Sequence, residues 1–183
     1  MQIRLVNIIP KSRSGETNFD SEPSITVNPA NPNQIIVTAF TPDITQPVSI
    51  GPYFFSNDNG STWALNSVIP GGTYTFGTKD ISIRFGGNSG VIYAAILRGD
   101  SPMRMNILRK ANFYGPGLVT ILVDRRNLDQ PWVEAITLDN KDIVYVSTND
   151  FSKSYLWAYC ISRYVYRCSQ SAATGCLYHY SPC

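Results

Sequence analysis

Histidine is nearly missing from this chain. One copy, His179, stands close to the end of the 183 residues. A Ser-His-Asp or Cys-His nucleophile would have only that imidazole to draw on. Charge is also scarce. Asp, Glu, Lys and Arg make up 15% of the residues, against about 25% in an ordinary soluble domain. The net charge is +2 and no Lys/Arg cluster is built to follow phosphates, so nucleic acid is not expected as a partner. No stretch approaches the roughly 20 apolar residues of a membrane-spanning helix, and no membrane partner is expected. The opening MQIRLVNIIPKSRSG has a short apolar run without a small-residue cleavage pattern, and does not read as a signal peptide. The 3.6-residue helical period is almost absent.

What is abundant points to strands. Hydrophobic residues reach 43%, enough for a packed core. Gly and Pro are plentiful, and Thr, Val, Ile and Tyr recur in short runs. Pattern and punctuation predict strands near 3–9, 23–28, 34–40, 52–56, 62–68, 80–85, 91–97, 104–110, 118–123, 131–137 and 142–147. Three segments repeat one grammar of strand, polar turn and more apolar strand. EPSITVNPANPNQIIVTAF starts at Glu22, DISIRFGGNSGVIYAAIL at Asp80 and QPWVEAITLDNKDIVYVST at Gln130, spaced 58 and 50 residues apart. That spacing fits four short strands, the size of a propeller blade. The expected fold is all-β: a partial β-propeller of about three four-stranded blades over 1–152, followed by an irregular tail over 153–183. Three blades fall short of the 4 to 8 of a closed ring. The expectation is therefore a fragment, or a protomer completed by others, with exposed strand edges that favour self-association.

The tail, from Lys153, departs from this grammar. It holds all four cysteines (Cys160, Cys168, Cys176, Cys183) and His179, is dense in tyrosine, and has no acidic residue. Three readings fit. The cysteines could staple the tail in an oxidising compartment, with three pairings open. They could hold zinc, although no C-x2-C pair is present. Or the tail could stem from a frame shift or retained intron near Lys153.

SNDNGSTW, residues 56–63, gathers the most conspicuous polar side chains. As a calcium loop with Gly60 at the sixth position, it would place Phe55 first and Asn66 twelfth, where carboxylates are required. No metal and no cofactor are expected. As a hairpin turn between PYFFS and TWALNSVIP, it gives every residue local work. Asn59-Gly60 supplies positive φ, Asp58 accepts backbone N–H groups, Ser56 and Thr62 close the network, and Trp63 packs at the outgoing strand. Asn59-Gly60-Ser61 is also a glycosylation sequon, inside a tight turn.

S-x-D-x-G-x-T-W resembles the Asp-box, or BNR repeat, of sialidase-like β-propellers, matched by Ser56, Asp58, Gly60, Thr62 and Trp63. DSEPSITVNPANPNQIIVTAFTPD from Asp20 and DQPWVEAITLDNKDIVYVS from Asp129 are also similar to blades of that superfamily. The resemblance covers roughly residues 17–150. It implies glycoside hydrolase (neuraminidase-type) ancestry, glycans as partners, an extracellular or secreted setting, and a structural Asp-box remote from the active site. Sialidases carry their first arginine in a Phe/Tyr-Arg-Ile-Pro motif. Val6-Asn7-Ile8-Ile9-Pro10 has no arginine in register and Arg4 is displaced, so no catalytic residue is carried over. A non-catalytic propeller that binds glycans or proteins is the alternative.

Propeller ligands meet the loops that lead into each inner strand or join its second and third strands. By the strand reading, those loops hold Glu22, Asp43, Asp80, Arg125, Arg126 and Asp129, with an acid at each inner-strand start. These six are the expected ligand-facing residues. Their plain alternative is turn capping by acids and a solvated arginine pair. FGGNSG from Phe85 joins two strands rather than opening a helix, so it is not a phosphate cradle.

Overall fold

The β5 segment TKDISIRF shows why this chain forms sheets. Ile81, Ile83 and Phe85 alternate with Asp80, Ser82 and Arg84, so one face is apolar and the other polar. A computed structural model describes residues 5, 6, 8, 21–40, 52–67, 78–87, 90–99, 102–115 and 119–150, with the backbone of 155–160, 164–169 and 177–182. The first sheet runs β1 (Ser21–Val27), β2 (Ile35–Phe40), β3 (Pro52–Ser56), β4 (Ala64–Ser67). The second runs β5 (Thr78–Phe85), β6 (Ile92–Arg98), β7 (Arg104–Lys110), β8 (Val119–Arg126). The third joins β9 (Leu128–Leu138), β10 (Lys141–Asp150) and β11 (Tyr155–Cys160). Neighbours pair antiparallel throughout. The fold is all-β, a set of unclosed propeller-like blades.

Three expectations are refined. Among the described residues the third blade has three hydrogen-bonded strands rather than four. The tail expected to be irregular carries backbone strands: β11 pairs with β10, and β12 (Tyr164–Ser169) pairs with β13 (Leu177–Pro182). YLWAYC and YVYRCS are rich in aromatic and β-branched residues, which suit a pleated ladder. The strand predicted over 3–9 lies mostly outside the described residues, and Leu5, Val6 and Ile8 are in no strand.

The middle blade is packed on both faces. Ile81, Ile83, Phe85, Ile92, Ala94 and Ile96 meet Ile36 and Tyr53 of the first blade. Tyr93, Ala95, Met105 and Ile107 meet Leu128, Val133, Val144 and Val146 of the third. This double burial explains why IYAAILR of β6 is apolar almost throughout. Phe113 joins the first two blades, edge-on to Phe55 at 5.7 Å and to Phe85 at 5.1 Å. The buried Tyr53 hydroxyl donates to the Phe113 carbonyl, and burial pushes its pKa up.

Inner strands touch through serines and threonines. The Ile83 amide donates to Ser24 Oγ (3.4 Å) and the Phe85 amide to Thr26 Oγ1 (3.4 Å). One blade on, the Val133 amide donates to Ser82 Oγ (3.0 Å), which itself donates to the Pro131 carbonyl (3.1 Å). Ser24 and Ser82 hold the same place in successive blades. This rung sets β1, β5 and β9 side by side, with their starts at one end of the molecule.

Candidate functional site

Each inner strand is irregular at its start. The β1 register shifts between Ser21 and Ser24, and β5 shifts between Thr78 and Ile81. The β9–β10 ladder shifts opposite Gln130 and Pro131, between Ser147 and Asn149. A bulge bends its strand and re-aims a side chain. Glu22 and Gln130 sit in two of these bulges, with φ of 55° and 47°, each directly before a proline. A left-handed backbone is costly for such residues, and strain of this kind clusters at functional positions.

The bulges bring the acids together. Asp80, half-buried, shares a hydrogen bond with the Glu22 carboxyl and has Asp129 nearby. Its pKa rises to about 6, first because burial disfavours the anion, then because Glu22 and Asp129 repel it; the Gln130 amide partly offsets this. The carboxyls open on a cavity of about 340 Å³, walled by Glu22, Ser24, Asp80, Ser82, Gln130 and Trp132. Asp129 is not one of the wall residues. Its carbonyl accepts from Thr148 Oγ1 (2.6 Å) and its carboxylate from the Gln130 amide (2.9 Å). Asn149 Nδ2 holds the Gln130 side-chain oxygen at 2.8 Å. Trp132 is 60% exposed, an open indole beside paired carboxyls.

Of the six residues expected to face ligand, Glu22, Asp80 and Asp129 converge. Arg125 and Arg126 do not line the cavity. They end β8, the outermost strand of the second blade, and are exposed. The sequence there reads as a loop, yet a single residue, Asn127 (φ 61°), links β8 to β9. Asp43 lies outside the described residues. Gln130 and Trp132 were not singled out in the sequence. Their signal was present in the aligned starts Glu22-Pro23-Ser24, Asp80-Ile81-Ser82 and Gln130-Pro131-Trp132, where the third blade substitutes an amide and an indole.

The octet lies at the opposite ends of the strands, in the β3–β4 turn. Ser56 Oγ donates to Asp58 Oδ1 (2.8 Å) and accepts from the Gly60 amide (2.8 Å). The Thr62 amide donates to Asp58 Oδ1 (2.8 Å) and the Thr62 hydroxyl to Oδ2 (2.7 Å). Trp63 Nε1 reaches back to the Gly60 carbonyl (3.1 Å), while Asn59 and Gly60 take φ of 57° and 80°. Hydrogen bonds from Thr62, and then from Ser56, lower the Asp58 pKa to about 2. Among the described residues, no group of three or more His, Cys, Asp or Glu is arranged to hold a metal ion.

No protein-family model matches the chain. No curated protein matches it either. Among solved structures, the chain is similar to an ancestral GH74 enzyme, with a TM-score of 0.34 and 12% identity over 87% of this chain. The chain spans 27% of that enzyme's length.

Proposed function

We propose that the cavity at the inner-strand starts binds carbohydrate, on a chain of sialidase-like propeller ancestry. The observation that carries this reading is the convergence of Glu22 and Asp80 on one cavity beside the exposed indole of Trp132. Carboxyl and amide oxygens accept hydrogen bonds from sugar hydroxyls, and an indole offers an apolar face for a pyranose ring. The Asp-box-like octet supports the ancestry, and its closed network keeps it out of the chemistry.

Binding fits better than hydrolysis. Glycosidases of the two-carboxylate kind hold their carboxyls about 5 Å or more apart to admit a sugar carbon or a water. Glu22 and Asp80 instead crowd one another as like charges on the same stretch of the cavity wall. One observation favours the hydrolytic reading. A carboxyl with a pKa of about 6 keeps its proton below that pH and can act as a general acid in mildly acidic solution.

Glycan-array screening followed by calorimetry on the full 183-residue chain tests both. Binding that weakens roughly tenfold in Trp132→Ala, the scale of one aromatic contact, is expected. Folded protein that retains no glycan sinks the binding reading. Turnover of a fluorogenic sialoside, lost in Asp80→Asn, would instead establish the hydrolase.

A further inference from the structure

The blade-to-blade contact is a repeated surface, and among the described residues its two halves are exposed on the first and third blades. On β5 and β9, the face turned toward the preceding blade carries Ile83 and Val133, both 0% exposed. The same place on β1 is Ile25, which is 63% exposed, with Val27 beside it at 48%. The reverse face carries Ser24 and Ser82 on the first two blades, both buried against the next inner strand. Its counterpart on the third blade begins at Trp132 and continues through Ile136 and Leu138, 43% and 53% exposed. Tyr145 lies across the ladder on the same face, opposite Glu134.

These two surfaces are of complementary type, because each already meets the other kind twice within the chain. We propose that two copies of this chain associate face to face. The third blade of each packs on the first blade of the other, so that two three-blade arcs close a six-bladed ring. Six lies within the 4 to 8 blades of closed propellers. A contact between unlike faces ends in a closed ring only if the rotation per copy is right. Each arc supplies two blade-to-blade contacts of its own, and closure adds one more per copy. Trp132 is the innermost residue of the uncovered face and also a wall of the cavity, so the second copy's β1 would border the cavity's open side. The association itself does not depend on the carbohydrate reading.

Sedimentation equilibrium of the full 183-residue chain tests this, with Ile25→Asp and Ile136→Asp as variants that leave the cavity wall intact. A dimer is expected for the parent chain. Each variant should weaken it roughly 30-fold or more, the loss typical of a central apolar contact. An equimolar mixture of the two variants should regain dimer, because one of the two contacts in the mixed ring is then unaltered. Misfolded variants could not complement in this way, and far-ultraviolet circular dichroism reports their strand content directly. A parent chain that stays monomeric overturns the proposal. So do dimers indifferent to both substitutions, a mixture that fails to recover, or open polymers that lengthen with concentration.

Discussion

Asp58 and Asp80 are both strand-end aspartates, and their surroundings drive them in opposite directions. Asp58 accepts from Thr62 and Ser56, so its anion is favoured and its pKa falls to about 2. A depressed folded pKa stabilises the fold above the ordinary value of 3.8, and that contribution fades as pH drops toward 2. Asp58→Asn should lower the melting temperature at pH 7 and remove part of the loss between pH 4 and 2, measured by thermal scans across that range. Asp80 meets burial and two like charges, so its pKa rises to about 6. The native state then holds a proton that the unfolded chain releases near 3.8, and stability falls as pH rises from there through 6. Asp80→Asn should flatten that slope and raise the melting temperature at pH 7.5; an unchanged slope would place the titration elsewhere. Trp63 is half-buried with its ring over Gly60, so Trp63→Ala should cost about 1–3 kcal/mol, less than the 3–5 of a fully buried indole. Denaturant titration measures it.

At the scale of elements, the alternating pattern was legible and its interruptions were not. The ten strands predicted between residues 23 and 147 all exist, within a few residues of their expected bounds, because Pro, Asn, Asp and Gly mark each turn. Asp139-Asn140, both left-handed, is such a turn, closing β9–β10 in two residues. A bulge leaves no such mark, since one extra residue in a polar strand start reads as more strand. Hence the acids at Glu22, Asp80 and Asp129 were legible as a recurring feature, but their convergence was not. Arg125 and Arg126 misled for another reason. An outermost strand is wetted on both faces, so β8 keeps its ladder through Arg125 and Arg126, where the sequence reads as a loop. Contacts between blades are equally silent in the sequence, and two can be tested. Ser82→Ala strips the Val133 amide of its buried acceptor and should cost about 1–3 kcal/mol. At the far ends of the strands, Asp142 accepts from Tyr93 (2.8 Å) and Thr137 (2.6 Å), locking the second blade to the third. A Cβ on Gly86 would stand 2.6 Å from the Asp142 carboxylate and 2.9 Å from the Tyr93 ring. Gly86→Ala should therefore cost about 1–3 kcal/mol by overpacking; urea midpoints within error of the parent would mean the hairpins slide apart freely.

At the scale of the molecule, stability is set by how many blade faces are covered. A blade in a stacked array draws its stability from the neighbours on its two sides. Among the described residues the middle blade packs on both neighbours, and the first and third each pack on the middle one, with Ile25 and Trp132 exposed. The first and third blades should therefore exchange amide protons faster than β5 and β6 at low protein concentration. Closure by a second copy changes that order, because it covers both outer faces at once. Unfolding then becomes a reaction of the dimer, and mass action enters the midpoint. Raising the concentration a hundredfold adds about 2.7 kcal/mol per dimer, which for two chains of this length shifts the melting temperature by roughly 3–5 °C. Scanning calorimetry from micromolar to sub-millimolar chain should follow that rise and show β1 and β9 amides gaining protection in step. A midpoint independent of concentration would mean that each arc stands alone, with its outer blades held by contacts inside one chain.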